Sequence, residues 1–183
     1  MKLNEILETV NAVEPEKESA LLHYLRDSSW LNSGLRYTDG KNHLEIQSKS
    51  VKLLDEFIKN SPLTKSGLVL YRAIPRHVLE DLKEGDKFVD KGFISTSSNK
   101  QSVNDPGYVH PEDRVVLTLR IEPGIHALNV SEVIKQSSSA PTKAKELSEW
   151  EDEFLLERGL TFEIQILKYR KTKLIAAILK VSR

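Results

Sequence analysis

The chain is 183 residues long, which suits one domain spanning 1–183 and is enough to bury a sizeable core. Lysine plus arginine total 27 and aspartate plus glutamate total 27, so no net field draws the chain to nucleic acid or to an anionic membrane. Cysteine is absent, which excludes disulfides, thiol nucleophiles and thiolate metal sites, and no stretch approaches the ~20 apolar residues of a membrane span.

Residues 1–60 read as helical. Leu3, Ile6, Leu7 and Val10 stand at helical spacing, as do Ala20, Leu21, Tyr24 and Leu25 behind the start signal Glu14-Pro15. A third helix is expected from Leu44 to about Asn60, with Val51, Leu54, Phe57 and Ile58 repeating every three or four residues. From Gly67 the period changes. GLVLYRAI is a short apolar strand, PRHVLEDL a brief helix, and DKFVDKGFISTSS two strand pieces joined by Asp90-Lys91-Gly92. Residues 99–113, with two prolines and a glycine, form a long loop. RVVLTLRIEPG is a strong strand, 131–149 is expected to be a second irregular excursion, and EFLLERG, TFEIQILKYRK and KLIAAILKV return to strand. The class is α+β, with N-terminal helices packed on mostly antiparallel strands over 61–183. The N-terminus has no signal-peptide core.

The acids of EWEDEFLLERG, residues 149–159, need a reason. If the segment is a strand from the first acid, Glu151 and Glu153 share one face about 7 Å apart and Asp152 points to the other. Two like charges that close cost free energy unless a cation joins them, which marks a candidate site. The default for an acidic strand start is protection against edge pairing, and Asp152 keeps that reading. Arg72 in LVLYRAI, taken alone, is an ordinary salt-bridged strand residue, and Ser95-Thr96-Ser97 in GFISTSS an ordinary turn or edge device. The five histidines have no metal spacing, so no metal is expected. KYRKTK, 168–173, is a local basic patch that a turn between strands explains without nucleic acid.

Taken in order and with their flanks, Arg72, Ser95-Thr96-Ser97 and Glu151-x-Glu153 resemble the arginine, Ser-Thr-Ser, Glu-x-Glu signature of mono-ADP-ribosyltransferases of the clostridial binary-toxin and exoenzyme type. The resemblance covers roughly residues 37–183. It implies the family's split core of two twisted sheets with helices, and NAD as co-substrate between the sheets. It assigns Glu153 to the charge that develops on ribose when the nicotinamide bond breaks, Ser95 to holding that carboxylate, Arg72 to the pyrophosphate, and Thr96 and Ser97 to support of strand and pocket. Glutamate at position 151 goes in this family with arginine acceptors, so Glu151 would face the incoming guanidinium of a target protein. Tyr108 and Arg114 fall in the family's phosphate and nicotinamide loop. The stretch 143–150 falls in its substrate-recognition turn, where Trp150 would touch the protein substrate. The expected enzyme is a monomeric NAD-dependent arginine ADP-ribosyltransferase without a metal. With no second, degenerate copy of the fold, it fits a phage or bacterial effector acting in a host or target-cell cytoplasm. The rivals are an NAD glycohydrolase, a catalytically silent binding module of the same fold, and a glycosidase, whose carboxylates must flank a sugar bond at ~5 Å or more.

Overall fold

The computed structural model describes residues 14–65, 67–104, 110 and 112–183. The helical stripe expected from Leu3 to Val10, and Tyr108, lie outside the described residues.

Helix α1, Pro15–Arg26, opens on a proline, whose missing N–H costs nothing in the first turn, and buries Ala20, Leu21 and Tyr24. A single residue separates it from α2, Ser28–Thr38. That residue, Asp27, accepts from the backbone N–H groups of Ser29 and Trp30, so the new helix starts with its first donors satisfied. Helix α3, Glu45–Lys59, buries Val51, Leu54, Phe57 and Ile58, the stripe its spacing predicts.

Eight strands follow: β1 Leu68–Pro75, β2 Lys87–Asp90, β3 Ile94–Ser97, β4 Arg114–Ile121, β5 Ala127–Asn129, β6 Glu153–Leu156, β7 Leu160–Arg170 and β8 Lys173–Ser182. Their order is β2-β7-β8-β4-β1-β3-β6-β5, antiparallel throughout except for β4 beside β8. The sheet nearly divides between β1 and β3, which meet at one register pair, Tyr71 with Ser97. The two expected halves therefore exist as β2-β7-β8-β4-β1 and β3-β6-β5, joined at that seam. The strand pieces on either side of Asp90-Lys91-Gly92 form no hairpin: β2 pairs with β7, whereas β3 pairs with β1 and β6. The chain crosses between them under α2, where a Cβ on Gly92 would stand 2.8 Å from Asn32 Oδ1 and 2.9 Å from Arg36 Nε, so a larger residue would have to displace these side chains.

There are two apolar cores. One lies among β1, β4, β7 and β8 and includes Leu70, Leu117, Leu119 and Leu179. The other joins Leu21, Tyr24, Leu31, Leu54 and Ile58 of the helices to Phe93 and Leu155. Strand β6 is buried on both faces, Phe154 and Leu156 in the first core and Leu155 in the second. Alternation puts Glu153 on the Leu155 face, towards the helices.

The segment 131–149 is not irregular. It holds α4, Val130–Gln136, and α5, Thr142–Glu151. Asn129 caps α4 by accepting from Glu132 N–H at 3.0 Å, and Pro141 precedes the first turn of α5. The serine run, read from the sequence as a loop, occupies only the link between them.

Candidate active site

The seam between β1 and β3 opens onto a cavity of about 840 Å³. Arg72, Ser95, Thr96, Ser97, Glu151 and Glu153 all line it. The far wall is α1, through Ser19, Leu22, His23 and Arg26, and Tyr24 also reaches the cavity.

Glu153 is the first residue of β6 and is buried. Register sets it opposite Ser97 on β3. The Ser95 hydroxyl donates to its Oε1, and its own N–H donates to Ser131 Oγ at 2.8 Å. Burial pushes its pKa from the ordinary 4.5 up to about 7; the Ser95 hydrogen bond and the Arg72 cation pull it down, while the Glu151 charge pushes it up. This carboxylate is held by the Ser95 hydroxyl and sits close to its own titration point at neutral pH.

Arg72 lies inside β1, one residue past the seam. Its Nη1 donates to the Ser95 carbonyl at 3.0 Å, which ties it to the strand that carries the Ser95 hydroxyl. Burial lowers its pKa, yet a guanidinium stays charged in a protein. Among the described residues it makes no ion pair, so the remaining donors of its fork face a cavity with no acid committed to them. A half-buried cation with unused planar donors is suited to a phosphate. Arg72→Lys is expected to weaken NAD affinity by roughly tenfold although the charge is kept, because an ammonium cannot reproduce the fork. Calorimetry on the folded variant checks this, and unchanged affinity would make Arg72 a strand-bracing residue only.

Thr96 and Ser97 act within the protein. Thr96 Oγ1 donates to the Phe154 carbonyl at 2.8 Å, and Ser97 Oγ donates to the Glu151 carbonyl and accepts from Asn99 N–H at 2.8 Å. Glu151 does not share a strand with Glu153. It is the last residue of α5, and Asp152 between them takes φ 44°, ψ 57°, in the left-handed region. The same-face argument for the pair therefore fails in its geometry: the two carboxylates line one cavity from different elements, a helix end and a strand start. Trp150, also on α5 and half-exposed, is not among the cavity's lining residues, and its carbonyl accepts from Asn99 Nδ2 at 2.9 Å. Arg114 opens β4 opposite Pro75, away from the cavity lining.

The sequence reading missed the α1 wall. Ser19, Leu22, His23 and Arg26 stand at i, i+3, i+4 and i+7, a helical stripe adjoining the buried one, but its mixed polarity gave no reason to single it out. Tyr24 enters the sequence reading only as one position of the helical stripe. It is buried, its hydroxyl accepts from Asn32 Nδ2 at 3.1 Å, and burial pushes its pKa up to about 12. Among the described residues no cluster of His, Asp or Glu could hold a metal ion, and no helix is long and apolar enough to cross a membrane.

A buried, hydroxyl-held carboxylate beside an unpaired guanidinium, at the seam of a split sheet walled by an N-terminal helix, defines a class. The chain belongs to the ADP-ribosyltransferase exoenzyme family, whose family model matches residues 3–180. No curated protein sequence matches it. Among solved structures it is similar to Plx2a, an ADP-ribosyltransferase toxin from Paenibacillus larvae, at 19% identity and TM-score 0.68, covering 93% of this chain and 88% of that one. It is similar also to the ADP-ribosyltransferase Vis of Vibrio splendidus in complex with agmatine, at 18% identity and TM-score 0.70, covering 96% and 78%. A third is C3stau2 from S. aureus with NAD, at 19% identity and TM-score 0.66, covering 93% and 88%. At these identities the likeness shows the fold.

Proposed function

We propose that the chain transfers ADP-ribose from NAD to an arginine side chain of a target protein and releases nicotinamide. The observation that carries the arginine acceptor is the position of Glu151 at the C-terminus of α5. A helix C-terminus concentrates partial negative charge, so a carboxylate that lines the cavity from that position favours a cationic group beside it. The electronegative spot faces the same cavity as Glu153. An arginine side chain is a cation suited to it, in keeping with the resemblance in which glutamate at this position goes with arginine acceptors. The complex of the similarly folded Vis with agmatine, which also carries a guanidinium, supports the reading in kind.

NAD supplies the reaction with a positively charged nicotinamide leaving group on ribose. Arg72 would hold the pyrophosphate. Glu153, kept in place by Ser95, stabilises the positive charge that grows on the ribose as the glycosidic bond lengthens, with no reorganisation needed at that moment. Glu151 receives the acceptor guanidinium and takes the proton that its nitrogen loses as the new bond to ribose forms. The rival in which water is the acceptor uses the same cleavage machinery and leaves Glu151 idle.

Incubation with labelled NAD and cell lysates, followed by mass spectrometry of the modified residue, tests the reading. ADP-ribose on arginine is the expected result, and brisk NAD hydrolysis with no labelled protein would replace the transferase by a glycohydrolase.

The pH dependence follows from Glu153. Its folded pKa, about 7, lies above the ordinary 4.5, so the folded protein prefers the protonated acid; its contribution to stability is full below about 4.5 and is lost as pH rises through about 7. Activity runs the other way, because only the ionised form stabilises a cation. The kcat/KM for NAD cleavage is therefore expected to climb through a pKa of about 7 to a plateau. Ser95→Ala should move that limb upward, since the Ser95 hydrogen bond lowers the pKa more than the Arg72 cation does. A profile flat from pH 5 to 9 (roughly the window that brackets such a limb) would exclude Glu153 as the titrating group.

A further inference from the structure

Helix α5 ends at Glu151 and strand β6 begins at Glu153, so the chain turns from one to the other through Asp152 alone. Asp152 takes the left-handed conformation, which aspartate and asparagine tolerate better than other residues with a Cβ. A helical residue there would continue α5, and an extended one would put both glutamates on one strand face. The left-handed residue does neither, and turns a helix-borne and a strand-borne carboxylate into one cavity.

This turn is held from the segment after β3. Ser98 N–H donates to the Asp152 carbonyl at 3.1 Å, and Ser98 Oγ donates to Asp152 Oδ2. Alongside, Ser97 Oγ donates to the Glu151 carbonyl and Asn99 Nδ2 to the Trp150 carbonyl. The last carbonyls of α5, which no helical N–H can reach, are thus capped from another part of the chain. Glu153 has its own anchors in Ser95, Ser131 and the β3 pairing. A disturbance at 152 bears on the end of α5, because the 97–99 segment that holds Asp152 also holds the Trp150 and Glu151 carbonyls, whereas the Glu153 side chain and N–H are held by Ser95 and Ser131.

We propose that Asp152, held by Ser98, is a positioning residue that aims Glu151 at the acceptor and so governs transfer without governing cleavage of NAD. The inference rests on the arginine-transferase reading above. The experiment measures nicotinamide release without acceptor, and ADP-ribosyl transfer to agmatine and to lysate proteins, for wild type, Asp152→Ala, Asp152→Asn, Asp152→Gly and Ser98→Ala. Asp152→Ala is expected to lower the ratio of transfer to hydrolysis roughly tenfold, the size expected when a residue that resists the left-handed region is placed there. Asparagine and glycine, which accept that region, should bring the ratio back towards wild type, and Ser98→Ala should lower it less than Asp152→Ala does. An unchanged ratio in Asp152→Ala, a parallel fall of both activities, or failure of asparagine to rescue overturns the inference. Should Asp152→Ala not fold, Ser98→Ala decides, and an unchanged ratio there overturns it equally. A wild type that hydrolyses NAD but modifies neither agmatine nor protein overturns the arginine reading, and this inference with it; a wild type that transfers, with a ratio indifferent to position 152, overturns the inference alone.

Discussion

Replacing Glu153 by glutamine is expected to lower both nicotinamide release and ADP-ribosyl transfer by about 100-fold or more, since a preorganised charge contributes several kcal/mol to such a transition state. The substitution is nearly isosteric, so the β3–β6 register and the Ser131 contact to the Glu153 backbone remain. NAD should still bind, because Arg72 keeps its place on β1. The amide can accept from Ser95 as the carboxylate does, but it offers no charge to ribose. Single-turnover measurement of nicotinamide release checks the expectation, and near-normal release would remove Glu153 from the mechanism.

Glu151→Gln should separate the two activities. Bond cleavage draws on Glu153, Ser95 and Arg72, which are tied together by the Ser95 hydroxyl on Glu153 and by Arg72 Nη1 on the Ser95 carbonyl. Transfer to arginine is expected to fall by about 100-fold or more, the scale of a lost general base, while much of the slow hydrolysis of NAD by water survives. One further change follows from the charge. Burial is the main cause of the raised Glu153 pKa, but the Glu151 charge adds to it, so with Glu151 neutral the hydrolysis limb should move to lower pH than in wild type. Parallel loss of both activities would contradict the division of labour between the two carboxylates.

The legible part of this protein is the part whose signals are local. Strand β4 reads directly from RVVLTLRI, and α3 from the repeat of Val51, Leu54, Phe57 and Ile58. The residues gathered at the cavity, Arg72, Ser95 and the two glutamates, were found through their resemblance to a family signature, because nothing local says that residues 72, 95 and 153 meet. The acidic stretch shows where local reading stops. Glu151 and Glu153 line one cavity, but their spacing reads as strand alternation, whereas a helix ends between them. A left-handed aspartate leaves no mark in the sequence, and Ser98, whose hydroxyl and N–H hold it, lies about fifty positions earlier. Helices α4 and α5 were missed for a different reason. Serines and Pro141 suggested a loop, yet Asn129 and Pro141 are helix-start residues, and the cap signal was outweighed by the run between them. The α1 wall was invisible because a helix face that lines a polar cavity carries mixed residues, without the periodicity that marks a face on an apolar core.

The central claim is that one cavity holds two carboxylates with separate duties. Parallel measurement of nicotinamide release and of arginine labelling by wild type, Glu151→Gln and Glu153→Gln, each shown folded by circular dichroism and each at saturating labelled NAD, tests it most directly. The account predicts that Glu153→Gln loses both signals, and that Glu151→Gln loses arginine labelling and retains release. Equal loss of both signals in the two variants, or retention of arginine labelling in Glu151→Gln, would contradict it.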